Sequence, residues 1–331
     1  MFVSVVIPAY NAQDTIEFTL KDILSQSYSD FELVLVDDGS SDNTGAICDE
    51  YALKDKRINV IHQNNQGLSA ARNNGIRLAR GSYISLVDSD DRVETYYLEY
   101  LIKALKDSNA DMVCAKRDRV KDGVDPNGSF QEYTVEVFDQ KDAMSEMLTG
   151  KKITVGPWNR LVPKKWYLDH PFLIGKKYED LSNSYKLHLE AKSVAYVDAV
   201  LYHYVMRGGS ITGSKNVSVA QCLDYYEAIN MCLSDVINAF PDLDNDVAVL
   251  VARDYMSLYL SIHRCSNYPN EELVTIENIL LEWMKKNGRK AVKNKKAPIT
   301  VRMRVFLFLL GPKIYSFFYY IGAPLKGKAI V

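Results

Sequence analysis

Asp88 and Asp90, one residue apart and followed by Asp91, close an apolar run in the segment YISLVDSDD. Carboxylates crowded at one point repel each other unless a cation sits between them. Hard oxygen ligands suit Mg2+ or Mn2+, ions that also bridge phosphate oxygens and neutralise a departing diphosphate. A solvated acidic loop after a strand is the plain alternative. In VLVDDGSSDNT, Asp38 stands where it can accept an N–H from a nucleotide base. Gly39 there allows a tight turn, and Ser40, Ser41 and Asp42 are candidate caps for the next helix. A capped turn without a ligand explains the same residues. In NQGLSAARNNGIRLARG, Gly67 lets the backbone approach a ligand, and Arg72 lies one turn into a helix. An arginine so placed can pair a phosphate through two donors, although an ordinary surface arginine fits as well.

These residues need a frame that brings them together. Residues 2–9 form a continuous apolar run, which predicts a strand buried on both faces. Ile16, Leu20, Ile23 and Leu24 follow a helical period, with Asp14 as a candidate cap. Further strands are predicted at 31–36, 58–61, 83–87 and 112–115, and helices after residue 43, over 68–80 and over 97–105. Alternating strands and helices predict an α/β fold, a parallel sheet with helices on both faces. Such sheets bind ligands outside the carboxyl ends of their strands. Tyr10 and Asn11, Asp37 and Asp38, and Asp88 to Asp91 all follow strands directly.

Residues 116–136 are polar and contain Gly123, Pro126 and Gly128, which predicts a loop or hairpin leaving the sheet. A second group of unusual residues follows over 138–212, and residues 218–287 read as helical, with Tyr225, Ile229 and Leu233 on one face. The expected organisation is 1–115 for a nucleotide-binding half, 116–215 for a second half of the same fold, and 216–331 for a helical region with a basic and apolar tail.

Composition narrows the classes. The 331 residues are 47% hydrophobic and 25% charged, with net charge −2. That is the balance of a soluble globular protein and lacks the basic excess of a nucleic-acid binder, so no nucleic-acid partner is expected. The five cysteines are far apart and form no CxxC pair, which fits a reducing compartment. The N-terminus has no basic segment or cleavage site, so it reads as a strand and not a signal peptide. The sequons at Asn127 and Asn216 then have no relevance in a cytoplasmic protein.

Taken together, VSVVIPAYNAQ, LSQSYSDFELVLVDDGSSDNT, NQGLSAARNNGI and GSYISLVDSDD resemble the family 2 glycosyltransferases of the GT-A fold, in order and at the spacing of that family. The resemblance implies a nucleotide-sugar donor, with UDP-sugars foremost, a Mn2+ or Mg2+ cofactor, and inversion at the anomeric carbon. By motif, Pro8, Tyr10 and Asn11 line the nucleoside pocket, Asp38 reads the base, Arg72 and Asp88 lie beside the diphosphate and ribose, and Asp90 binds the metal. The later segments GPWNRLVPKKWY, YEDLSNSYKL and LYHYVMRGGSIT are similar to the acceptor half of bacterial members. That similarity places the catalytic base at Asp180, with Glu179 beside it. The two acids also suit the start of a helix on electrostatic grounds alone. An inverting transfer needs only a base on the acceptor side. Arg207 and Ser210, on either side of Gly208-Gly209, are placed on a loop that closes over the diphosphate in relatives. Trp158 is a candidate to stack on a sugar or to fill the core. His203 is a candidate metal ligand or a buried structural histidine.

The tail departs from the rest. Lys285, Lys286, Arg289, Lys290, Lys293, Lys295, Lys296, Arg302 and Arg304 precede VFLFLLGPKIYSFFYYIG. This apolar run is short for a membrane span and is interrupted at Gly311-Pro312. A basic stretch with aromatic-rich helices suits the inner surface of the plasma membrane and a lipid-linked or glycan acceptor. Helices packing on the catalytic part, or on a second copy in a homodimer, are the alternative. A Rossmann oxidoreductase would need a glycine-rich turn after the first strand, where this chain has PAYNAQ. A P-loop NTPase would need a GxxxxGK[ST] segment, which is absent. A catalytically silent helper of a glycosyltransferase complex remains the rival of a different class. The resemblance to bacterial members points to capsule or exopolysaccharide assembly.

Overall fold

The computed structural model describes residues 1–123, 125, 130, 132–207 and 217–326. Within them the chain divides into two compact units, 1–143 with 155–207, and 144–154 with the residues from 208 onward.

The first unit is built on one nine-stranded sheet. Strands β1 (Val3–Ala9), β2 (Phe31–Asp37), β3 (Ile58–His62) and β4 (Tyr83–Leu86) are parallel in the order β3-β2-β1-β4. β1 and β2 are buried at every residue, as a strand covered by helices on both faces must be. Helix α1 (Ile16–Leu24) turns Ile16, Leu20 and Ile23 inward at helical spacing. No side-chain cap closes its start, so Asp14 does not serve the capping role expected of it. Helices α2 (Thr44–Lys54) and α3 (Leu68–Leu78) complete the parallel half. Asp42 Oδ1 accepts the Thr44 N–H at 2.9 Å and so receives one donor at the start of α2. Gly75 of α3 rides directly on the sheet: a Cβ there would lie 2.4 Å from Val6 Cγ1 and 3.0 Å from Val36 Cγ2.

The rest of the sheet is mixed. After β5 (Arg92–Val93) and α4 (Tyr97–Ser108), strand β6 runs over Met112–Lys121. Then come β7 (Val135–Asp139), α5 (Gln140–Thr149), β8 (Arg160–Pro163), α6 (Lys164–Asp169), α7 (Glu179–Glu190) and β9 (Ser193–Met206). β8 joins the halves by pairing antiparallel with both β4 and β6. β6 does not end at Ala115 as its polar continuation suggested. It pairs with β9 through Lys121 by absorbing register shifts between Ala115 and Arg117. The polar residues beyond 115 are therefore strand for six positions, not loop, and a division at 115/116 falls inside β6.

In the second unit, Ser218 and Gln221 form a reciprocal capping box at the start of α8 (Val219–Ala239). A short 3-10 turn (Pro241–Leu243) leads to α9 (Asp244–Ile262), α10 (Glu271–Lys293), α11 (Ile299–Leu310) and α12 (Pro312–Lys326). α9 is buried almost throughout. Among the described residues no helix is long and apolar enough to cross a membrane. All five cysteines are free and buried.

Candidate active site

Register brings the separate motifs to one edge. Ala9 is level with Asp37, and Val6 with Leu86. The residues that follow β1, β2 and β4 therefore leave the sheet side by side at their carboxyl ends.

Asp38 is 3% exposed, and its carboxylate organises the loop after β3. Oδ1 accepts from Gln63 Nε2 at 2.7 Å and the Gln66 N–H at 2.9 Å, and Oδ2 accepts the Gly67 N–H at 2.8 Å. Gly39 turns beneath that loop with φ +71°, where a Cβ would lie 2.7 Å from Asn65 N. Across the cleft edge, Asn11 adopts φ 48°. Its Oδ1 accepts the Ser41 N–H at 2.9 Å, and its own N–H donates to Ser40 Oγ at 3.0 Å. Pro8 is buried in β1, and Tyr10 is exposed beside Asn11.

Arg72 is the centre of the cluster. It is buried, and its two terminal nitrogens reach different segments: Nη2 donates to Asp88 Oδ1 at 2.8 Å and Nη1 to Glu179 Oε1 at 2.9 Å. The guanidinium lies 5.4 Å from the centre of the Phe172 ring. Burial works against its charge, but Asp88 and Glu179 outweigh that and hold its pKa above the ordinary arginine value. Its Nε is buried without a hydrogen-bond partner. The surface arginine that the sequence allowed is therefore excluded. α3 presents Arg72 three residues before Gly75, so the close approach at Gly75 brings the guanidinium to the sheet edge.

The turn 88–91 is clamped from α1. Thr15 Oγ1 donates to the Ser89 carbonyl at 3.0 Å and Thr19 Oγ1 to the Asp91 carbonyl at 2.8 Å. Just beyond, Arg92 forms a two-donor pair with Asp22. Asp91 points inward, away from the role expected of the whole acidic run. It is 1% exposed, its Oδ2 accepts from Tyr202 Oη at 2.6 Å, and its Oδ1 accepts the Val205 N–H at 2.9 Å. The same Tyr202 hydroxyl accepts the Asp88 N–H at 3.3 Å, so one buried tyrosine ties the turn at two points.

Asp88 and Asp90, both partly buried, remain as oxygen donors of the turn. The Asp90 carboxyl is pushed above its ordinary value by burial and by the charge of Asp88, while Arg207 pulls it down. A cation beside these two would relieve the repulsion, so their charge and chemistry fit a hard divalent metal. Among the described residues no group of three or more His, Cys, Asp or Glu side chains could hold a metal. Oxygens from a bound diphosphate would have to complete the set. Arg207 is half-buried, with Nε 3.4 Å from Asp122 Oδ1. Ser210 lies outside the described residues, as do Asn127 and Asn216.

Tyr178, with φ 61°, enters α7 in the left-handed region, an uncommon conformation for a bulky residue. The turn sends Glu179 toward Arg72. Asp180 follows, its Oδ1 accepting the Leu181 N–H at 2.7 Å. Trp158 is half-buried. Its ring stacks on Tyr202 at 5.0 Å with a 14° interplanar angle, and Arg117 lies 4.9 Å from its centre. His203 is buried with Nε2 3.0 Å from Glu94 Oε1 and Nδ1 2.7 Å from Asp118 Oδ1. Both ring nitrogens thus face carboxylates, which fits the structural reading of this histidine. Tyr202, Phe172 and Arg117 were not singled out in the sequence.

Comparison with known proteins identifies the family and the fold. The profile of Glycosyl transferase family 2 matches residues 4–169. Glycosyltransferase GlyG of Streptococcus pneumoniae serotype 4 is 32% identical over 250 residues, covering 73% of this chain and 82% of its own. The crystal structure of S. aureus TarS 1-349 in complex with UDP-GlcNAc superposes with a TM-score of 0.69 at 20% identity, over 97% of this chain and 92% of that one. Mannosyltransferase PcManGT from Pyrobaculum calidifontis, in complex with GDP-Man and Mn2+, superposes with a TM-score of 0.56 at 15% identity, over 99% and 88% of the two chains. At such identities the superpositions speak for the fold. With the profile spanning half the chain and GlyG matched over most of its length, the protein belongs to glycosyl transferase family 2 and is a glycosyltransferase.

Proposed function

We propose that this enzyme is an inverting, metal-dependent transferase that moves a sugar from a UDP-sugar to a hydroxyl of a glycan or lipid-linked acceptor in bacterial surface-polysaccharide synthesis. The observation that carries this reading is the Arg72 cluster: one buried guanidinium joins Asp88, at the donor edge of the sheet, to Glu179, beside the candidate base. The UDP-GlcNAc complex of TarS and the Mn2+ complex of PcManGT support the donor class and the metal by analogy of fold.

Pro8, Tyr10 and Asn11 border the nucleoside. Asp38 has three acceptor positions filled by its own loop and keeps one for a base N–H. Asp88 and Asp90 would hold Mn2+ or Mg2+. When bound, the metal supplies positive charge to the diphosphate as it leaves. Arg72 holds Asp88 and Glu179 in register and adds positive charge beside the diphosphate. Arg207 acts on the same group, and by motif so does Ser210. Asp180 takes the proton of the acceptor hydroxyl. The oxygen attacks the anomeric carbon from the face opposite the diphosphate, so the configuration inverts and no enzyme nucleophile is required. Glu179, pinned by Arg72, fixes where Asp180 stands. Trp158 borders the sugar. The enzyme works at the cytoplasmic membrane surface through its C-terminal tail.

The test is a donor-hydrolysis screen. The intact protein is incubated with a panel of UDP-, GDP- and dTDP-sugars, with Mn2+, Mg2+ or chelator, and nucleoside diphosphate release is read. Slow metal-dependent release from a UDP-sugar is expected. Release that is unchanged in chelator, or confined to a GDP- or dTDP-sugar, would overturn the metal or the donor assignment respectively.

A further inference from the structure

The outer face of α11 is apolar where a water-facing helix should be polar. Ile299, Met303, Phe306 and Leu310 recur at helical spacing and are 61%, 65%, 54% and 60% exposed. Beyond the break at Gly311, α12 exposes Ile314, Phe317 and Phe318. The inward side of the pair is otherwise occupied: Phe308 packs edge-on against Tyr259 and Tyr315 at 5.3 and 5.4 Å. The outward residues are thus surplus to the fold of this unit.

Charge identifies the occupant. The last 47 residues carry twelve Lys and Arg and no Asp or Glu, in a chain of net charge −2, so everything before them sums to −14. The structure separates the described ones into two sets. Arg302 donates to the Val292 carbonyl, Arg304 to Tyr315 Oη, Lys290 to Asp244 and Lys296 to Ser145 Oγ. Lys285, Lys286, Arg289, Lys293, Lys295 and Lys313 stay exposed. Arg289 and Lys293 line a surface cavity of about 280 Å³ together with Lys290, Asn245 and Asn294. α10 and α11 run side by side, since a Cβ on Gly288 would lie 3.0 Å from Leu309 Cδ2. A cationic helix end therefore borders an apolar helix face.

We infer that α11 and α12 lie in the plane of an anionic phospholipid surface, with Ile299, Met303, Phe306, Leu310 and Phe317 immersed and the exposed lysines and arginines of α10 at the headgroups. At 12 and 15 residues both helices are shorter than the ~20 residues needed to span a bilayer. An apolar face with basic flanks instead lies at the interface, and its binding depends on anionic lipid. A second copy would have to place the same cations against themselves. The inference rests on the membrane location proposed above and adds its lipid class and inserted residues.

Co-sedimentation of the intact protein with vesicles tests it. Vesicles of phosphatidylcholine are compared with vesicles containing about one third phosphatidylglycerol. Binding at least ~10-fold tighter to the anionic vesicles is expected, and weaker as salt is raised. The variant Phe306→Glu/Phe317→Glu is expected to lose binding ~10-fold or more. The variant Lys285→Gln/Lys286→Gln/Lys293→Gln is expected to lose the salt-sensitive part. Equal partition to both vesicles, no binding, or binding indifferent to Phe306→Glu/Phe317→Glu would overturn the inference. So would a dimer in solution that the same variant converts to a monomer, because the occupant would then be a second copy. Thermal unfolding of the same preparations reports on folding, and nucleoside diphosphate release reports on the transferase reading separately.

Discussion

Arg72 and Glu179 are separated by 107 positions in sequence and by 2.9 Å in space. The pair joins a helix of the parallel half to the start of the helix that carries Asp180. Since Arg72 also holds Asp88, removing it would leave two carboxylates without their shared cation. Arg72→Met is expected to lower stability by about 3–5 kcal/mol, as for other broken buried pairs, and to cut donor turnover. Arg72→Lys is expected to rescue little, because one ammonium does not reach both carboxylates as the two-pronged guanidinium does. Thermal unfolding and nucleotide release on the same samples check both points.

Asp180→Asn keeps the shape of the side chain and its contact with the Leu181 N–H while removing the base. Turnover with acceptor is expected to fall ~10²–10⁴-fold, with donor affinity unchanged, as read by titration calorimetry. A large loss of donor affinity would make Asp180 a donor-site residue instead.

Asp90 and Asp91 are neighbours, but only Asp91 is fully buried, on Tyr202 and the Val205 N–H, and their variants should differ in kind. Asp90→Ala is expected to abolish metal-dependent nucleotide release while the fold stays intact. Asp91→Ala strips partners from the Tyr202 hydroxyl and the Val205 N–H, and is expected to cost about 1–3 kcal/mol for each buried group left unpaired. Denaturant titration and release assays of the two proteins distinguish them.

Gly75→Ala would ordinarily strengthen a helix interior. Here the new methyl would fall 2.4 Å from Val6 Cγ1, so overpacking outweighs the propensity gain and a net loss of about 1–3 kcal/mol is expected. Because α3 carries Arg72, activity should fall with it. A neutral or stabilising result by urea unfolding would show that α3 shifts freely on the sheet.

His188 supplies a pH dependence. It is fully buried, its Nδ1 donates to the Ser184 carbonyl at 2.9 Å, and its Nε2 has no partner. Burial, with the nearby charge of Arg160, pushes its pKa down to about 3. The folded state therefore holds the neutral ring, while the unfolded chain takes up a proton near pH ~6.5. The stability from this group is complete above the unfolded value and is lost as pH falls from there toward about 3. The slope approaches ~1.4 kcal/mol per pH unit. Between pH ~7 and ~5 the protein is expected to lose about 2 kcal/mol relative to His188→Gln, measured by urea unfolding.

Much of the parallel half was legible in the sequence. Buried strands of this kind announce themselves as unbroken apolar runs. The short polar turns after β1, β2 and β4 each brought their functional residues to a strand end, where the sheet gathers them. The GT-A architecture and the family followed from those segments because their order and spacing are a one-dimensional record of that local geometry. Long-range pairing left no such record. β6 looked like a loop beyond Ala115 because one edge of that strand region is wet and its residues are polar, and only its partner β9 makes it a strand. Asp91 and Asp90 look equivalent in DSDD, and Tyr202, 111 positions from Asp91, is what holds the Asp91 carboxylate inside. Residue types and local periods, set by neighbours along the chain, were determined by the sequence itself. The pairing of Arg72 with Glu179, the burial of Asp91 and the division of the tail's cations into bonded and exposed sets were decided only by the tertiary structure, because each depends on a partner that local sequence does not name.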